Sequence, residues 1–160
     1  MIYLACDHRG FGLKEAIKKL LGEQGILHED MGDFSFDADD DYVDFAQIVS
    51  QKIAENPCEH KGILTCGTGY GMSIVANKFP AVRAALAYTK EQAIQSREHG
   101  DANILILAAD DIDESLAKDI VEVWLKTPFS QEVRHKRRLK KIEDIESKNF
   151  ETRTHFMCDD

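Results

Sequence analysis

Residues 61–76 read KGILTCGTGYGMSIVA, an apolar run that ends in a glycine-rich turn and continues with apolar residues at helical spacing. This pattern is typical of a buried strand that leads through a tight turn into a helix. Comparable apolar runs occupy residues 1–6, 81–88 and 102–109, and a weaker one occupies residues 26–32. Because helical patterns separate these runs, the sequence predicts an α/β domain with a five-stranded parallel sheet and helices on both faces.

The segments between the runs carry their own helix signals. The first helix has one apolar stripe, formed by Leu13, Ile17, Leu20 and Leu21. Gly25 is expected to end that helix. Further helices are predicted at residues 42–55 and 115–126, and a basic helix follows them.

Residues 33–41, DFSFDADDD, are predicted to form a loop. Their acidic spacing superficially resembles a calcium-binding loop. The central glycine and the closing glutamate of that motif are missing at the required offsets. A solvated loop is therefore the preferred interpretation.

Length and charge exclude several classes of protein. The chain has 160 residues and a formal net charge of −9. It therefore fits one domain and is a poor match for nucleic acid or an anionic membrane surface, whose binding depends on clustered Lys and Arg. No apolar run approaches the roughly 18 residues of a membrane-spanning helix. The N-terminal residues lack the pattern of a secretory signal, which predicts a cytoplasmic protein.

Residues 67–73, GTGYGMS, form a candidate anion-binding loop at the end of the third run. Glycines let backbone N–H groups point at an anion that lies on the positive end of the following helix. The G-x-G-x-G spacing matches neither a P-loop nor the dinucleotide-binding fingerprint. A tight turn that only packs the helix against its strand is the alternative interpretation.

Cys66 occupies the last position of the predicted strand, directly before this loop. The helix dipole and the backbone donors there are expected to favour the thiolate over the thiol. The alternative is a small buried hydrophobic residue, which is the commoner role of a free cysteine. Position alone does not decide between the two.

Asp7, His8 and His99 are further candidates for chemistry. Asp7 and His8 follow the first run, although an aspartate there commonly caps a helix. His99 lies where the fourth helix meets Gly100, where a histidine can instead contact the last carbonyl groups. Taken singly, these residues are ambiguous.

The last predicted helix contains a basic segment, RHKRR, at residues 134–138. Arg134 and Arg138 are four residues apart, so both guanidinium groups lie on one helical face and can hold one phosphate. Charged runs are more often solvated or paired with acids, and Glu132 and Glu143 are available for that.

These residues also carry a resemblance to a known family. The ribose-5-phosphate isomerase B family, which includes galactose-6-phosphate isomerase, resembles this chain in the segments CDHRGFGLKE, DYVDFA, GILTCGTGYGMSIVANKFPAVRAAL, SREHGDAN and RHKRR. The resemblance covers residues 1–146 as an isomerase domain and leaves residues 147–160 as a C-terminal tail. It implies a three-layer αβα Rossmann-like sandwich that works without metal or other cofactor. A homodimer or a dimer of dimers is also implied, with the active site where two subunits meet.

The resemblance assigns roles to individual residues. Cys66 would abstract the proton next to the sugar carbonyl, while Thr68 and the glycine-loop amides would hold the enediolate oxygen. His99 would assist ring opening, and Asp7 would engage the sugar hydroxyls or the ring oxygen. The implied substrate-binding residues are His8, Tyr42, Gly67, Gly69, Gly71, Ser73, Arg134 and Arg138. Tyr42 would line the sugar pocket, whereas His8 and the two arginines would hold the phosphate.

Two positions depart from the family pattern. Gly100 stands where family members commonly have Asn, and Asp110 stands where they commonly have an Arg that contacts phosphate. An acidic residue there would repel a phosphate. We therefore expect compensation by Arg137 or Lys136, a different substrate, or a different orientation of the phosphate.

The activity implied by the resemblance is that of an aldose–ketose isomerase acting on a sugar phosphate, with ribose 5-phosphate to ribulose 5-phosphate as the leading reaction. Its first rival is isomerisation of a hexose 6-phosphate such as galactose or allose 6-phosphate, because the changed residues lie near the substrate. A non-catalytic sugar-phosphate binding protein is the alternative from another class, although a pure binder would not need Cys66. Nucleotide binding fits poorly, because the fingerprint spacing and the ribose-binding acid are missing.

Overall fold

Five parallel strands form one sheet in the computed structural model, which describes residues 1–150 of the chain. The strands are β1 (Ile2–Cys6), β2 (His28–Asp30), β3 (Lys61–Cys66), β4 (Ala84–Leu86) and β5 (Ile104–Ala108). Their order is β2-β1-β3-β5-β4, and each neighbouring pair is parallel. The predicted five-stranded parallel sheet is confirmed.

Helices follow each of the strands. They are α1 (Phe11–Glu23), α2 (Tyr42–Glu55), α3 (Tyr70–Ala76), α4 (Lys90–Gly100), α5 (Glu114–Lys126) and α6 (Val133–Phe150). Side chains of Asp41, Thr89 and Asp113 accept backbone N–H groups in the first turns of α2, α4 and α5, which fixes where these helices begin. Gly25 adopts a φ of +66° just after α1, as expected for a residue that ends a helix. Within residues 1–150, none of these helices combines the length and apolarity needed to cross a bilayer.

Two apolar cores lie on opposite faces of the sheet. Leu4 and Ile63 point to the core formed with α1, α4 and α5, whereas their neighbours Ala5 and Leu64 point to the core formed with α2 and α3. This alternation follows from the two-residue period of a strand that is buried on both faces. The three-layer αβα sandwich is therefore confirmed. Of the predicted tail, residues 147–150 continue α6, and residues 151–160 lie outside the described residues.

One buried charge lies beside the predicted apolar stripe of α1. Lys14 is fully buried, whereas Leu20 is only partly buried. The Nζ atom of Lys14 donates to both carboxylate oxygens of Asp30, at 2.8 and 2.9 Å. Burial alone would raise the pKa of Asp30, but hydrogen bonds from Lys14 and Lys18 outweigh it and lower that pKa. This ion pair ties α1 to the end of β2, from which the acidic loop at residues 33–41 departs.

Candidate active site

The loops after β1 and β3 lie side by side at the carboxyl edge of the sheet. Cys6 of β1 pairs in register with Thr65 of β3, so the chain leaves both strands at nearly the same level. It then enters α1 on one face of the sheet and α3 on the other. Neighbouring strands whose helices part in this way form a topological switch point, where open α/β sheets bind ligands.

Gly10 brings the loop after β1 into close contact with β3. A Cβ atom at Gly10 would lie 2.2 Å from the carbonyl oxygen of Thr65, so no larger residue fits without a shift of the backbone. The hydroxyl of Thr65 donates to the carbonyl oxygen of Gly10 at 3.0 Å, and the carboxylate of Asp7 accepts the N–H of Gly10 at 2.9 Å. Asp7 is only 6% exposed, and burial raises its pKa. The loop thus holds a buried carboxyl group next to the end of β3.

The loop at residues 67–73 keeps its shape because two glycines fit where other residues do not. Gly69 has a φ of +78°, and a Cβ atom there would lie 2.4 Å from a methyl carbon of Leu86. A Cβ atom at Gly71 would lie 2.5 Å from the ring of Tyr42. The structure therefore places Tyr42, which begins α2, directly over this loop.

Cys66 ends β3 and lies under the same loop. Its side chain is 4% exposed, and its Sγ atom accepts the N–H of Gly69 at 3.2 Å. Burial raises the pKa of the Cys66 thiol, and the N–H donors of Gly69 and Met72 reduce this shift without cancelling it. The position of Cys66 at the strand end is confirmed. The expectation that this position favours the thiolate is wrong for the single chain, because desolvation outweighs the helix N-terminus.

Thr68 and Ser73 occupy different environments in the loop and the helix that follows it. Thr68 is exposed, and its carbonyl oxygen faces the hydroxyl of Tyr88 at 3.5 Å. The Oγ atom of Ser73 is buried and has no hydrogen-bond partner within the described part of the chain. Thr68 is therefore accessible to a ligand, whereas Ser73 lies inside α3.

His8 is held by the acidic loop. Its Nδ1 atom lies 2.6 Å from the Oδ1 atom of Asp40, and its ring meets Phe36 edge-on at 6.1 Å between centroids. The hydrogen bond to Asp40 raises the pKa of His8 and so favours the imidazolium. The loop prediction for residues 33–41 is confirmed, but Asp40 is not a solvated member of it. Its side chain is only 6% exposed.

Arg9 and Asp110 form an ion pair across the same edge. The Nη2 atom of Arg9 donates to the Oδ2 atom of Asp110. Asp110 is thus a paired carboxylate, which removes the premise that it would simply repel a phosphate. Arg9 is a residue of this edge that the sequence alone does not single out. The available signal was its place beside His8, in the loop that follows the first strand.

His99 lies at the opposite, amino edge of the sheet. α4 ends at Gly100 and Asp101, and the carboxylate of Asp101 accepts a hydrogen bond from Arg83, which directly precedes β4. β3 has six residues, so the two edges are separated by roughly 15–20 Å. Within one chain, His99 therefore does not reach Cys66.

The predicted phosphate-binding arginines lie near His99. The ring of His135, in the first turn of α6, is 4.5 Å from the ring of His99 between centroids. Arg134 precedes His135 and pairs with Glu132 at 2.7 Å, and Arg138 follows one turn later; both are exposed. The candidate site residues thus fall into two groups at opposite edges of the sheet, which we call the carboxyl-edge half-site and the amino-edge half-site. The carboxyl-edge half contains Asp7, His8, Tyr42, Cys66, Thr68 and the glycine loop, and the amino-edge half contains His99, Arg134 and Arg138.

Metal-binding side chains are not clustered in either half-site. Across residues 1–150, no group of three or more His, Cys, Asp or Glu side chains is arranged to hold a metal ion. The amino-edge half-site offers the exposed cationic side chains of Arg134 and Arg138 to a ligand.

Known proteins resemble this chain over most of its length. The model of the ribose/galactose isomerase family matches residues 2–142. The chain is 38% identical over 147 residues to ribose-5-phosphate isomerase B of Escherichia coli. This alignment covers 92% of this chain and 97% of the Escherichia coli protein.

Solved structures give the same result. Ribose-5-phosphate isomerase B from Mycoplasma genitalium, solved with bound ribulose-5-phosphate, is similar with a TM-score of 0.90 and 39% identity, over 92% of this chain and 97% of that one. The ribose 5-phosphate isomerase from Thermotoga maritima has a TM-score of 0.84 and 45% identity, over 89% of this chain and 97% of that one.

Proposed function

This chain belongs to the ribose/galactose isomerase family, and from that premise we propose that it interconverts ribose 5-phosphate and ribulose 5-phosphate. The observation that carries the proposal is the position of Cys66, buried under a glycine loop at the switch point of the sheet. The match over nearly the whole chain to a ribose-5-phosphate isomerase B solved with bound ribulose-5-phosphate supports it.

Proton transfer between adjacent carbons is the chemistry that this half-site can perform. We assign Cys66 as the base that takes the proton from C2 of the open-chain aldose and returns it to C1, by way of an enediolate. The proton of the C2 hydroxyl passes to the C1 oxygen in the same conversion, which completes the ketose. The hydrogen on C2 becomes removable only if the negative oxygen that develops beside it is stabilised. The accessible Thr68 and backbone N–H groups of the glycine loop other than that of Gly69, which donates to Cys66, are suited to that task. Since the pKa of the Cys66 thiol is raised by burial, its thiolate is a stronger base once it forms.

A second subunit is required to complete the site. His99, Arg134 and Arg138 are too far from Cys66 in their own chain. A homodimer in which the amino-edge half of one subunit meets the carboxyl-edge half of its partner brings the two halves together. His99 of the partner subunit would then assist ring opening, and the partner's Arg134 and the partner's Arg138 would contact the phosphate.

His8 contributes to phosphate binding as an imidazolium, and Asp40 sets the pH range over which it does so. In the Asp40→Asn variant, loss of the carboxylate is expected to lower the pKa of His8. At pH values between the pKa of His8 in the variant and its pKa in the wild-type protein, His8 is mostly neutral in the variant and mostly charged in the wild-type protein. The KM for ribose 5-phosphate should therefore begin to rise at a lower pH in Asp40→Asn, and well below both pKa values the two proteins should have similar KM values.

Asp39→Asn is the matched control for this measurement. It removes one carboxylate from the same loop without touching His8. Steady-state kinetics over a range of pH should show the shift in Asp40→Asn only. Identical pH profiles of KM for Asp40→Asn and the wild-type protein would exclude the role given to His8.

A hexose 6-phosphate is the second candidate substrate, because Gly100 leaves room beside His99. A Cβ atom at Gly100 would meet nothing within 4 Å, so packing inside the chain does not require glycine there. The missing side chain instead leaves space in the half-site that the partner subunit contributes.

The test is conversion of ribose 5-phosphate by the purified protein, with allose 6-phosphate and galactose 6-phosphate assayed in parallel. Efficient turnover of the pentose supports the main proposal, whereas turnover of a hexose phosphate alone favours the second candidate. Binding of these compounds without turnover would instead identify a sugar-phosphate binding protein.

A further inference from the structure

The ion pair between Arg9 and Asp110 passes over the strand that carries Cys66. Arg9 lies in the loop after β1, and Asp110 lies in the loop after β5. β3 lies between these two strands in the sheet, and Cys66 is its last residue. A side chain that reaches from the loop after β1 to the loop after β5 must therefore cross the carboxyl end of β3.

Gly67 makes this crossing possible. A Cβ atom at Gly67 would lie 2.5 Å from the Cζ and Nε atoms of Arg9, so the guanidinium group rests on the backbone of the residue that follows Cys66. Gly67 is buried, whereas the side chain of Arg9 is 51% exposed. One face of the guanidinium thus lies on the glycine loop, and the remainder is open to a ligand that enters from solvent.

Asp110 is a fixed anchor for this arginine. Its backbone N–H donates to the carbonyl oxygen of Gly67 at 3.0 Å, and the N–H of Ala109 donates to the carbonyl oxygen of Cys66 at 2.8 Å. These hydrogen bonds fasten the loop after β5 to the end of β3. The carboxylate of Asp110 therefore holds Arg9 from a defined position.

Arg9 keeps its capacity to bind an anion while it is paired. A guanidinium group has five N–H donors, and the bond to Asp110 uses the Nη2 atom only. Its planar fork matches the geometry of phosphate better than an ammonium group does. The positive charge of Arg9 also acts to lower the pKa of Cys66, although burial of the thiol has the larger, opposite effect.

We propose that Arg9 binds the phosphate group of the substrate and that Asp110 is the positioning residue that holds Arg9 over the glycine loop. The inference rests on the proposed function, since it names a further ligand of the same substrate. Arg9 and His8 then form a pair of neighbouring cations on the loop after β1. Asp110 assists phosphate binding through Arg9, which is the opposite of the repulsion that an unpaired carboxylate would exert.

Phosphate recognition by Arg9 is tested by comparing ribose 5-phosphate with ribose, which lacks the phosphate. Both ligands are titrated calorimetrically into the Cys66→Ala protein, in which no turnover interferes. The same titrations are made with Cys66→Ala proteins that also carry Arg9→Ala or Arg9→Lys. Arg9→Ala should weaken binding of ribose 5-phosphate about 10- to 100-fold and leave that of ribose unchanged. Arg9→Lys should recover part of the loss, since it keeps the charge but not the planar fork. Lys19→Ala, which removes one exposed cation of α1, is the control and should bind like the parent.

The sign of the effect at Asp110 separates positioning from repulsion. If Asp110 positions Arg9, Asp110→Ala should weaken binding of ribose 5-phosphate about 3- to 10-fold. If Asp110 repels the phosphate, the same variant binds more tightly. The exchanged pair, Arg9→Asp with Asp110→Arg, returns a guanidinium to the same gap and should bind better than Arg9→Asp alone.

Steady-state kinetics of the Arg9 and Asp110 variants, measured in the protein that retains Cys66, separate a binding role from a role in proton transfer. For Arg9→Ala, KM should rise with the loss of affinity, while kcat changes less than about threefold. The inference is overturned if Arg9→Ala binds ribose 5-phosphate as tightly as the parent, or if it loses affinity for ribose to the same extent. It is also overturned if Arg9→Ala lowers kcat alone, or if Asp110→Ala binds ribose 5-phosphate more tightly. Failure of the proposed function is read separately, as absence of turnover in the wild-type protein. Circular dichroism confirms that each variant is folded.

Discussion

Replacing Cys66 by Ala is expected to reduce kcat for the conversion of ribose 5-phosphate about 10²- to 10⁴-fold, because the variant lacks the group that moves the proton between C1 and C2. Cys66→Ser should be slow as well, since a hydroxyl group is a far weaker acid than a thiol and is not converted to its anion near neutral pH. Binding of ribose 5-phosphate should persist in both variants, because the phosphate and hydroxyl contacts remain. A coupled assay of ribulose 5-phosphate formation and calorimetric titration measure the two quantities.

Cys6→Ala is the matched control. Cys6 ends the neighbouring strand, is fully buried, and has a pKa raised to about 12, chiefly by burial. Its thiol lies in the sheet interior, so Cys6→Ala should retain kcat within a few-fold and lose some thermal stability. A Cys66→Ala protein with wild-type kcat would show that another group is the base.

Two inactive variants should restore activity when they share a dimer. We expect His99→Ala to reduce kcat by about 10²-fold through loss of its role in ring opening. In a mixed dimer of Cys66→Ala and His99→Ala subunits, one site carries both defects and the other carries none. Random assortment of equal amounts should therefore restore about one quarter of the wild-type activity. The measurement is kcat per subunit after the two proteins are unfolded and refolded together.

A pair of variants in one half-site provides the control. Asp7→Asn is expected to be inactive too, because the resemblance assigns Asp7 to the sugar hydroxyls or the ring oxygen. Asp7 and Cys66 both lie at the carboxyl edge, so each site of a mixed dimer of Asp7→Asn and Cys66→Ala still contains one defect. That mixture should stay inactive. Recovery there, or no recovery in the mixture of Cys66→Ala with His99→Ala, would contradict an active site shared between subunits.

The sheet could be predicted from the sequence because its signals are local. The run at residues 61–66 is apolar throughout, as a strand buried on both faces must be, and the glycines behind it mark the turn. Gly25 and the N-terminal residue of α2 could be placed for the same reason, since cap residues act within one turn of a helix. β2 gave a weaker signal because it is a short edge strand, only three residues long and partly exposed.

The electrostatic partners in the site could not be predicted in this way. Arg9 and Asp110 are 101 residues apart, and they meet only because β3 lies between β1 and β5 in the sheet. Lys14 shows the same limitation, since helical periodicity gives no indication that a lysine next to Leu13 is neutralised by an aspartate from a strand. The helix N-terminus beside Cys66 is visible in the sequence, whereas burial, which raises the pKa of its thiol, is a sum over side chains from several elements.

If the active site is shared between subunits as proposed, the placement of the two half-sites at opposite ends of one sheet restricts the symmetry of the assembly. Subunits could join head to tail, so that the carboxyl edge of one subunit packs against the amino edge of the next. Such a contact is heterologous, because it uses a different surface on each of the two subunits. Unless the ring closed, it would leave an orphan half-site at each end of a growing filament. A two-fold axis avoids this, because two sheets lying side by side in opposite directions satisfy both edges of both chains at once. The number of complete sites then equals the number of subunits, and the assembly has no free end from which to grow.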